Sequence, residues 1–111
     1  NNGAMARDMT FIDDAIDGVI KSIDFLMNSD KKIGNELFNI GNDAPILTSE
    51  LLKTLESNLK VEAQVENIMV SNESLYTHAN LDKSISVLGY NPKVSLEEGI
   101  KEFLDWHKTY E

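Results

Sequence analysis

A change of hydrophobic period within the first fifteen residues constrains the fold most. Residues 7–12 alternate as an extended strand does, beginning at Arg7. From Asp13 onward apolar residues recur at helical spacing as far as Met27. The pattern predicts a strand that leads directly into a helix, with Asp13 as the N-cap. The apolar stripe of this helix comprises Ile12, Ile16, Val19, Ile20, Ile23, Leu26 and Met27.

Shorter patterns follow along the rest of the chain. They predict a strand at Glu36–Ile40, a helix capped by Thr48, two short extended pieces at Ala63–Val65 and Asn67–Val70, a helix from Asn80 that stops at Gly89, and a last helix opened by the capping box of Ser95 and Glu98. The fold class predicted is α/β, a small domain of about four helices with a short mixed β-sheet.

Length and composition exclude several classes of protein. A chain of 111 residues predicts one domain that buries roughly two-thirds of its unfolded surface. The hydrophobic share of 41% and the charged share of 26% are typical of soluble globular proteins, and no apolar run approaches the ~18 residues of a membrane span. There is no signal-peptide pattern and no initiating Met, so we expect the chain to begin inside a longer protein. The absence of Cys favours a cytoplasmic location.

The charge balance argues against nucleic acid as a partner. Ten basic residues stand against nineteen acidic ones, for a net charge of -9, whereas nucleic-acid affinity depends on neutralising phosphates. Arg7 is the single arginine of the chain. A guanidinium suits a planar, bidentate anion partner, so Arg7 is a candidate binding residue.

Three motifs in order resemble one known family. Residues 1–14 carry Asn, Gly and Met before the run Arg-Asp-Met-Thr-Phe-Ile-Asp-Asp; residues 38–41 read Phe-Asn-Ile-Gly; residues 88–100 read Leu-Gly-Tyr-Asn-Pro-Lys-Val-Ser-Leu-Glu-Glu-Gly-Ile. Together they resemble the nucleotide-sugar epimerases and dehydratases of the extended short-chain dehydrogenase/reductase family, above all the UDP-glucuronate 4-epimerase-like members. The resemblance implies that residues 1–111 form the C-terminal, substrate-binding domain of such an enzyme, which serves polysaccharide precursor synthesis.

The resemblance also implies a set of substrate contacts. Arg7 would contact the diphosphate of a UDP-sugar, Glu73 would accept hydrogen bonds from the ribose, and Asn1 and Gly3 would lie beside the base. The loop before Asn80 departs from the family pattern, since it contains no Arg and has Glu73 where the family has Asp.

The catalytic half of the family is missing from these residues. NAD would be held by a Rossmann domain with a G-x-x-G-x-x-G loop, and catalysis needs a Tyr-x-x-x-Lys pair; neither motif is present. We therefore expect no catalytic, cofactor-binding or metal residue here and no activity from this chain alone. The Rossmann domain is the expected partner in cis. Without it, the stripe through Ile16, Ile23 and Met27 would be exposed, which predicts a homodimer.

Two alternatives remain open. A non-catalytic module that kept the fold for protein–protein contact is favoured by the altered loop at Glu73. A dTDP-sugar dehydratase is the alternative within the enzyme class. The motifs select neither the sugar nor the base.

Overall fold

The computed structural model describes residues 1–29 and 35–110. Within them the elements are β1 (Ala6–Arg7), α1 (Ile12–Met27), β2 (Ile46–Leu47), α2 (Thr48–Leu59), α3 (Asp82–Leu88) and α4 (Leu96–His107), and a single 3₁₀ turn at Lys108–Tyr110 follows α4. The predicted fold of four helices with a short sheet is confirmed.

The sheet is built on both edges of β1. On one edge β1 pairs antiparallel with β2, Ala6 opposite Leu47 and Arg7 opposite Ile46. On the other edge Ala6 forms a parallel bridge to Tyr76, with its N–H 2.8 Å from the Leu75 carbonyl oxygen. The sheet itself is two-stranded and antiparallel, and the parallel part of the predicted mixed sheet is limited to this isolated bridge. The strand was predicted to reach residue 12, which is wrong, because β1 ends at Arg7.

The predicted strand at Glu36–Ile40 is wrong as well. Residues 35–42 are irregular, because side chains take the backbone bonds that a neighbouring strand would otherwise supply. The Ser84 hydroxyl donates to the Asn39 carbonyl, and the Tyr90 hydroxyl donates to the Gly41 carbonyl at 2.7 Å. Asp8 accepts from the Asn42 N–H at 3.1 Å. A segment clamped in this way needs no β-ladder to satisfy its buried polar groups.

The two extended pieces predicted between residues 61 and 70 are likewise irregular. Their backbone N–H groups turn to side chains of other segments: Ala63 donates to the Glu56 carboxylate at 2.8 Å, and Val70 donates to the Asn1 side-chain oxygen at 3.1 Å. The hydrophobic pattern of this stretch alternates weakly, but no strand among the described residues pairs with it.

Helix boundaries follow the predictions with small shifts. The N-cap of α1 is Phe11, so the prediction of Asp13 is wrong; no side chain caps this end. Thr48 is the first residue of α2, one place after its N-cap. Asn80 lies one residue before the N-cap of α3, and its side-chain oxygen accepts from the Asp82 N–H at 3.0 Å.

Two predicted helix ends are confirmed. Ser95 and Glu98 form the capping box of α4, and hydrogen bonds from the Ser95 hydroxyl and then the Ser95 N–H lower the pKa of the Glu98 carboxyl. Gly89 ends α3 with φ of 65°.

The chain does not close over its own apolar surface. Its radius of gyration is 17.3 Å, against about 13 Å for a compact chain of this length. Its accessible surface is 8428 Å², against about 6,100 Å² for a folded monomer of this mass. The prediction of two-thirds burial is wrong, since these values correspond to about one half. The buried hydrophobic side chains of the described residues are Ala6, Leu81 and Tyr90.

Much of the exposed apolar surface lies on one face of α1. Asp14 and Gly18 are its buried residues, and a Cβ at Gly18 would lie 2.5 Å from the Ile40 side chain. The predicted apolar stripe lies on the other side, where Ile16 is 48%, Ile23 53% and Met27 79% exposed. No helix in the described ranges has the length and apolar character needed to cross a membrane.

Candidate functional site

Arg7 is held by three acceptors at the end of β1. Its guanidinium donates to the Ala6 carbonyl at 2.9 Å and to the Met5 sulfur at 3.6 Å. It also lies 3.6 Å from the Glu73 carboxylate. The Arg7 side chain is 29% exposed, so it retains access to a ligand from solution.

Asp8, the residue after Arg7, helps to fix the position of Arg7 through its own hydrogen bonds. The two lone pairs of one Asp8 oxygen meet the backbone N–H of Asn42 at 3.1 Å and of Ala44 at 3.4 Å. The other oxygen is the one buried side-chain polar atom without a hydrogen-bond partner among the described residues. Asp8 thus fastens the chain after Arg7 to the 42–44 turn, and β2 fastens Arg7 itself.

Asn1 joins the N-terminal residues to the far segment. Its side-chain amide donates to the Val70 carbonyl at 3.1 Å and accepts from the Val70 N–H at 3.1 Å. Its backbone nitrogen donates to the Ile68 carbonyl. The same amide also reaches the Met5 sulfur at 3.4 Å. These bonds join the first residue of the chain to residues 68–70.

Met5 brings the predicted residues together. Its sulfur accepts from both Asn1 and Arg7, and thioether sulfur is a weak acceptor that leaves the guanidinium available for a stronger partner. Three of the four predicted contacts, Asn1, Arg7 and Glu73, therefore belong to one cluster. Met5 was not predicted as a site residue; its presence in the first motif, two residues before Arg7, was the signal.

Gly3 lies apart from this cluster, on the far side of Asn1. Its φ is +69°, and a Cβ there would lie 2.9 Å from the Ser49 Cβ, so both conformation and space require glycine. The Gly3 carbonyl accepts from the Ser49 N–H at 3.1 Å, which joins the N-terminal turn to the start of α2.

Asn1 and Gly3 border a cleft of about 470 Å³. Its other walls are the start of α2 and the irregular residues 63–68. Arg7 and Glu73 do not line it. The site therefore has two parts, a cation cluster at Arg7 and a cleft at Gly3, and Asn1 belongs to both.

The electrostatics of the cluster are set by one ion pair. Arg7 and Glu73 carry opposite charges at 3.6 Å, with Glu73 50% exposed. A partly solvated pair of this kind is weak, about 0–1 kcal/mol. It neutralises the guanidinium without enclosing it.

The described residues offer no alternative chemistry at this site. They contain no group of three or more His, Cys, Asp or Glu side chains that could hold a metal ion. His78 pairs with Asp43 at 2.6 Å, on a different part of the surface. The arrangement presents a partly exposed guanidinium, a group that can bind an anion.

Comparisons with known proteins show what the chain is similar to. No family model matches the chain. The UDP-glucuronate 4-epimerase 4 of Arabidopsis thaliana is 34% identical over 99% of the chain and 27% of its own length. The UDP-glucuronic acid 4-epimerase of Bacillus cereus, solved with UDP-glucuronic acid and NAD, matches with a TM-score of 0.81 at 28% identity, over 100% of the chain and 34% of its own length.

A third match has the same extent. The UDP-glucose 4-epimerase of Thermotoga maritima, solved with UDP-glucose, has a TM-score of 0.81 and 27% identity over 100% of the chain and 34% of its own length. The chain thus spans between a quarter and about a third of the length of these relatives. In sequence and fold it is homologous to one segment of the UDP-glucuronate 4-epimerase-like nucleotide-sugar epimerases of the extended short-chain dehydrogenase/reductase family.

Proposed function

We propose that this chain is the C-terminal, substrate-binding segment of an NAD-dependent UDP-sugar 4-epimerase, and that it binds the nucleotide diphosphate of the substrate. The observation that carries the proposal is Arg7, the single arginine of the chain. It is partly exposed and held mainly by weak or neutral acceptors. A diphosphate offers such a guanidinium charged, bidentate hydrogen bonds that Met5 and Ala6 cannot.

In this proposal the cleft at Gly3 takes the nucleoside. Asn1 lines the cleft and shares the Met5 sulfur with Arg7, so the cleft and the cation are linked; this suits a ligand with its phosphates at Arg7 and its base in the cleft. Glu73 lies at the edge of the cluster, 3.6 Å from Arg7; once it has turned away from Arg7, its carboxylate can accept from a ribose hydroxyl. Relatives solved with UDP-glucuronic acid or UDP-glucose support a UDP-sugar as the ligand.

We place NAD and the catalytic residues on a second domain of the parent protein. The 111 residues contain neither the glycine-rich phosphate loop nor the Tyr-x-x-x-Lys pair of the family, so the residues present do not fit NAD. A Rossmann domain in cis would bind the cofactor and cover the exposed face of α1. The excess of about 2,300 Å² over a closed monomer is in the range of a large, permanent interface. A cytoplasmic location stays a prediction.

The proposed binding role is tested with the chain itself. We expect UDP to bind, and Arg7→Ala to weaken UDP by about 10- to 100-fold, because a charge-assisted hydrogen bond contributes about that much. Lys53→Ala on the exposed side of α2 is the matched control, since it removes one positive charge elsewhere. Titration calorimetry measures both. Equal affinities for the two variants would contradict the proposed role of Arg7.

The parent activity is tested by the coding sequence upstream of Asn1. An in-frame Rossmann motif with Tyr-x-x-x-Lys there, and turnover of UDP-glucuronic acid by the longer chain, is the expected result. An unrelated upstream domain would exclude catalysis in cis.

A non-catalytic interaction module is the second candidate. The exposed stripe of α1 favours it, because an apolar surface of this kind serves contact with another protein. Isolated chains are expected to pair through this stripe as homodimers. A monomer by light scattering at high concentration would contradict the expected homodimer, and failure of UDP to bind would favour the module.

A further inference from the structure

We propose that Glu73 is a built-in competitor for the anion site, so that a ligand binds Arg7 only by displacing the Glu73 carboxylate. This inference rests on the proposed function of Arg7. It assigns Glu73 a role in selectivity, because a ligand must bind Arg7 more strongly than the Glu73 carboxylate does. Diphosphates meet that condition and simple monoanions do not.

The backbone on both sides of Glu73 is fastened to the segment that carries Arg7. On the N-terminal side, Val70 exchanges two hydrogen bonds with Asn1. On the C-terminal side, Leu75 accepts from the Ala6 N–H at 2.8 Å, and Thr77 donates to the Ala6 carbonyl at 3.2 Å. The loop between these anchors therefore carries its carboxylate to Arg7 as a fixed feature of the fold.

The same anchors decide how displacement occurs. Because the loop is held at both ends, the Glu73 side chain can rotate away while the backbone stays in place. Its 50% exposure and the 3.6 Å separation show a pair that is in contact but not enclosed. The ion pair is weak enough to be exchanged for a ligand with two or more negative charges.

The net negative charge of the chain adds to the competition of Glu73 with an anionic ligand. The chain carries -9 overall, and the Glu73 carboxylate is the acidic group that the structure places on Arg7. Removing that one carboxylate therefore exposes the guanidinium. Removing a glutamate elsewhere changes only the long-range electrostatic potential at Arg7. This difference makes a matched comparison possible.

The test compares Glu73→Gln with Glu62→Gln, an exposed glutamate outside the cluster that gives the same change in net charge. The probes are inorganic pyrophosphate, UDP and acetate, and calorimetry measures their affinities. We expect Glu73→Gln to bind pyrophosphate and UDP about 2- to 5-fold more tightly than Glu62→Gln, the effect expected for a weak ion pair. Glu73→Asp should lie between, because its shorter side chain retreats from Arg7. Acetate should bind measurably to Glu73→Gln alone.

The outcomes separate the two proposals. If the unchanged chain binds UDP and the two glutamine variants agree in affinity, the competitor role of Glu73 is overturned and the substrate-binding role stands. If UDP and pyrophosphate bind no variant, the substrate-binding role fails and the competitor role fails with it. Binding by Glu73→Gln alone would support the competitor role in its strongest form.

Discussion

The two faces of α1 are reversed relative to an ordinary amphipathic helix, because the apolar face is exposed and the other face is buried. The face fastened within the chain carries Asp14 and Gly18, a charged residue and a residue without a side chain. The face turned to solvent carries the aliphatic stripe, including Ile16 and Ile23. A helix normally buries its apolar stripe. Within the described chain, α1 therefore buries Asp14 and Gly18 and leaves its apolar stripe exposed.

The fastened face is specified by hydrogen bonds. The Asp14 carboxylate accepts from the Lys93 N–H at 3.1 Å and from the Val94 N–H at 2.9 Å, while only 7% of the residue is exposed. The neighbouring Tyr90 hydroxyl donates to the Gly41 carbonyl. Polar bonds therefore act on this face together with side-chain packing, in which Gly18 meets Ile40 and Phe25 meets Phe38.

The largest effect is expected from Asp14→Ala. It removes the charged acceptor of two part-buried backbone hydrogen bonds, from Lys93 and Val94, which costs about 1.5–3 kcal/mol in the free energy of unfolding. Asp13→Ala is the matched control, since Asp13 is the adjacent, exposed acidic residue of the same helix turn. Urea denaturation measures both. Equal losses would show that the fastened face depends on helix-terminal charge and not on the Lys93 and Val94 contacts.

A smaller effect is expected from Tyr90→Phe, about 1–2 kcal/mol, because the Gly41 carbonyl loses its buried donor. Burial, and then the negative charges of Asp14, Asp17 and Asp8, raise the pKa of the Tyr90 hydroxyl above 10.0.

The sign of the pH effect follows from that raised pKa. The unfolded chain releases the proton near pH 10.0, whereas the folded chain retains it to higher pH. The contribution of Tyr90 is fully present below pH 10.0 and is lost as the pH rises through the folded pKa. Tyr90→Phe should remove that alkaline loss. Tyr110→Phe, with a side chain 74% exposed, is the control. An unchanged alkaline profile in Tyr90→Phe would contradict this role.

The smallest effect on this chain is expected from Ile23→Ser on the open face. Ile23 is 53% exposed in the single chain, so at concentrations too low for pairing through the stripe its replacement should change the free energy of unfolding by no more than about 0.5 kcal/mol. In a longer chain whose second domain covers α1, the same substitution should cost about 2–4 kcal/mol. Denaturation of both chains decides the point. A large loss in the short chain would mean that the stripe is already covered.

Local physical chemistry made several elements predictable from the sequence. The four helices follow from apolar periodicity, and the start of α4 follows from Ser95 and Glu98, which bond to each other's backbone within one turn. Gly89 ends α3 for a similarly local reason, its positive φ. The candidate residues Arg7, Asn1 and Glu73 were named through the resemblance to a family, and Glu73 lies in a loop that departs from the family pattern.

The tertiary structure alone decided the rest. Whether residues 36–40 pair as a strand depended on distant residues: Ser84 takes the Asn39 carbonyl, and Tyr90 takes the carbonyl of the adjacent Gly41. Which face of α1 packs inward depended on Asp14 meeting Lys93, and periodicity carries no information about that partner. The Arg7–Glu73 pair arises from loop anchors at Asn1 and Ala6. Each is a contact between distant segments, so its energy is absent from any local pattern.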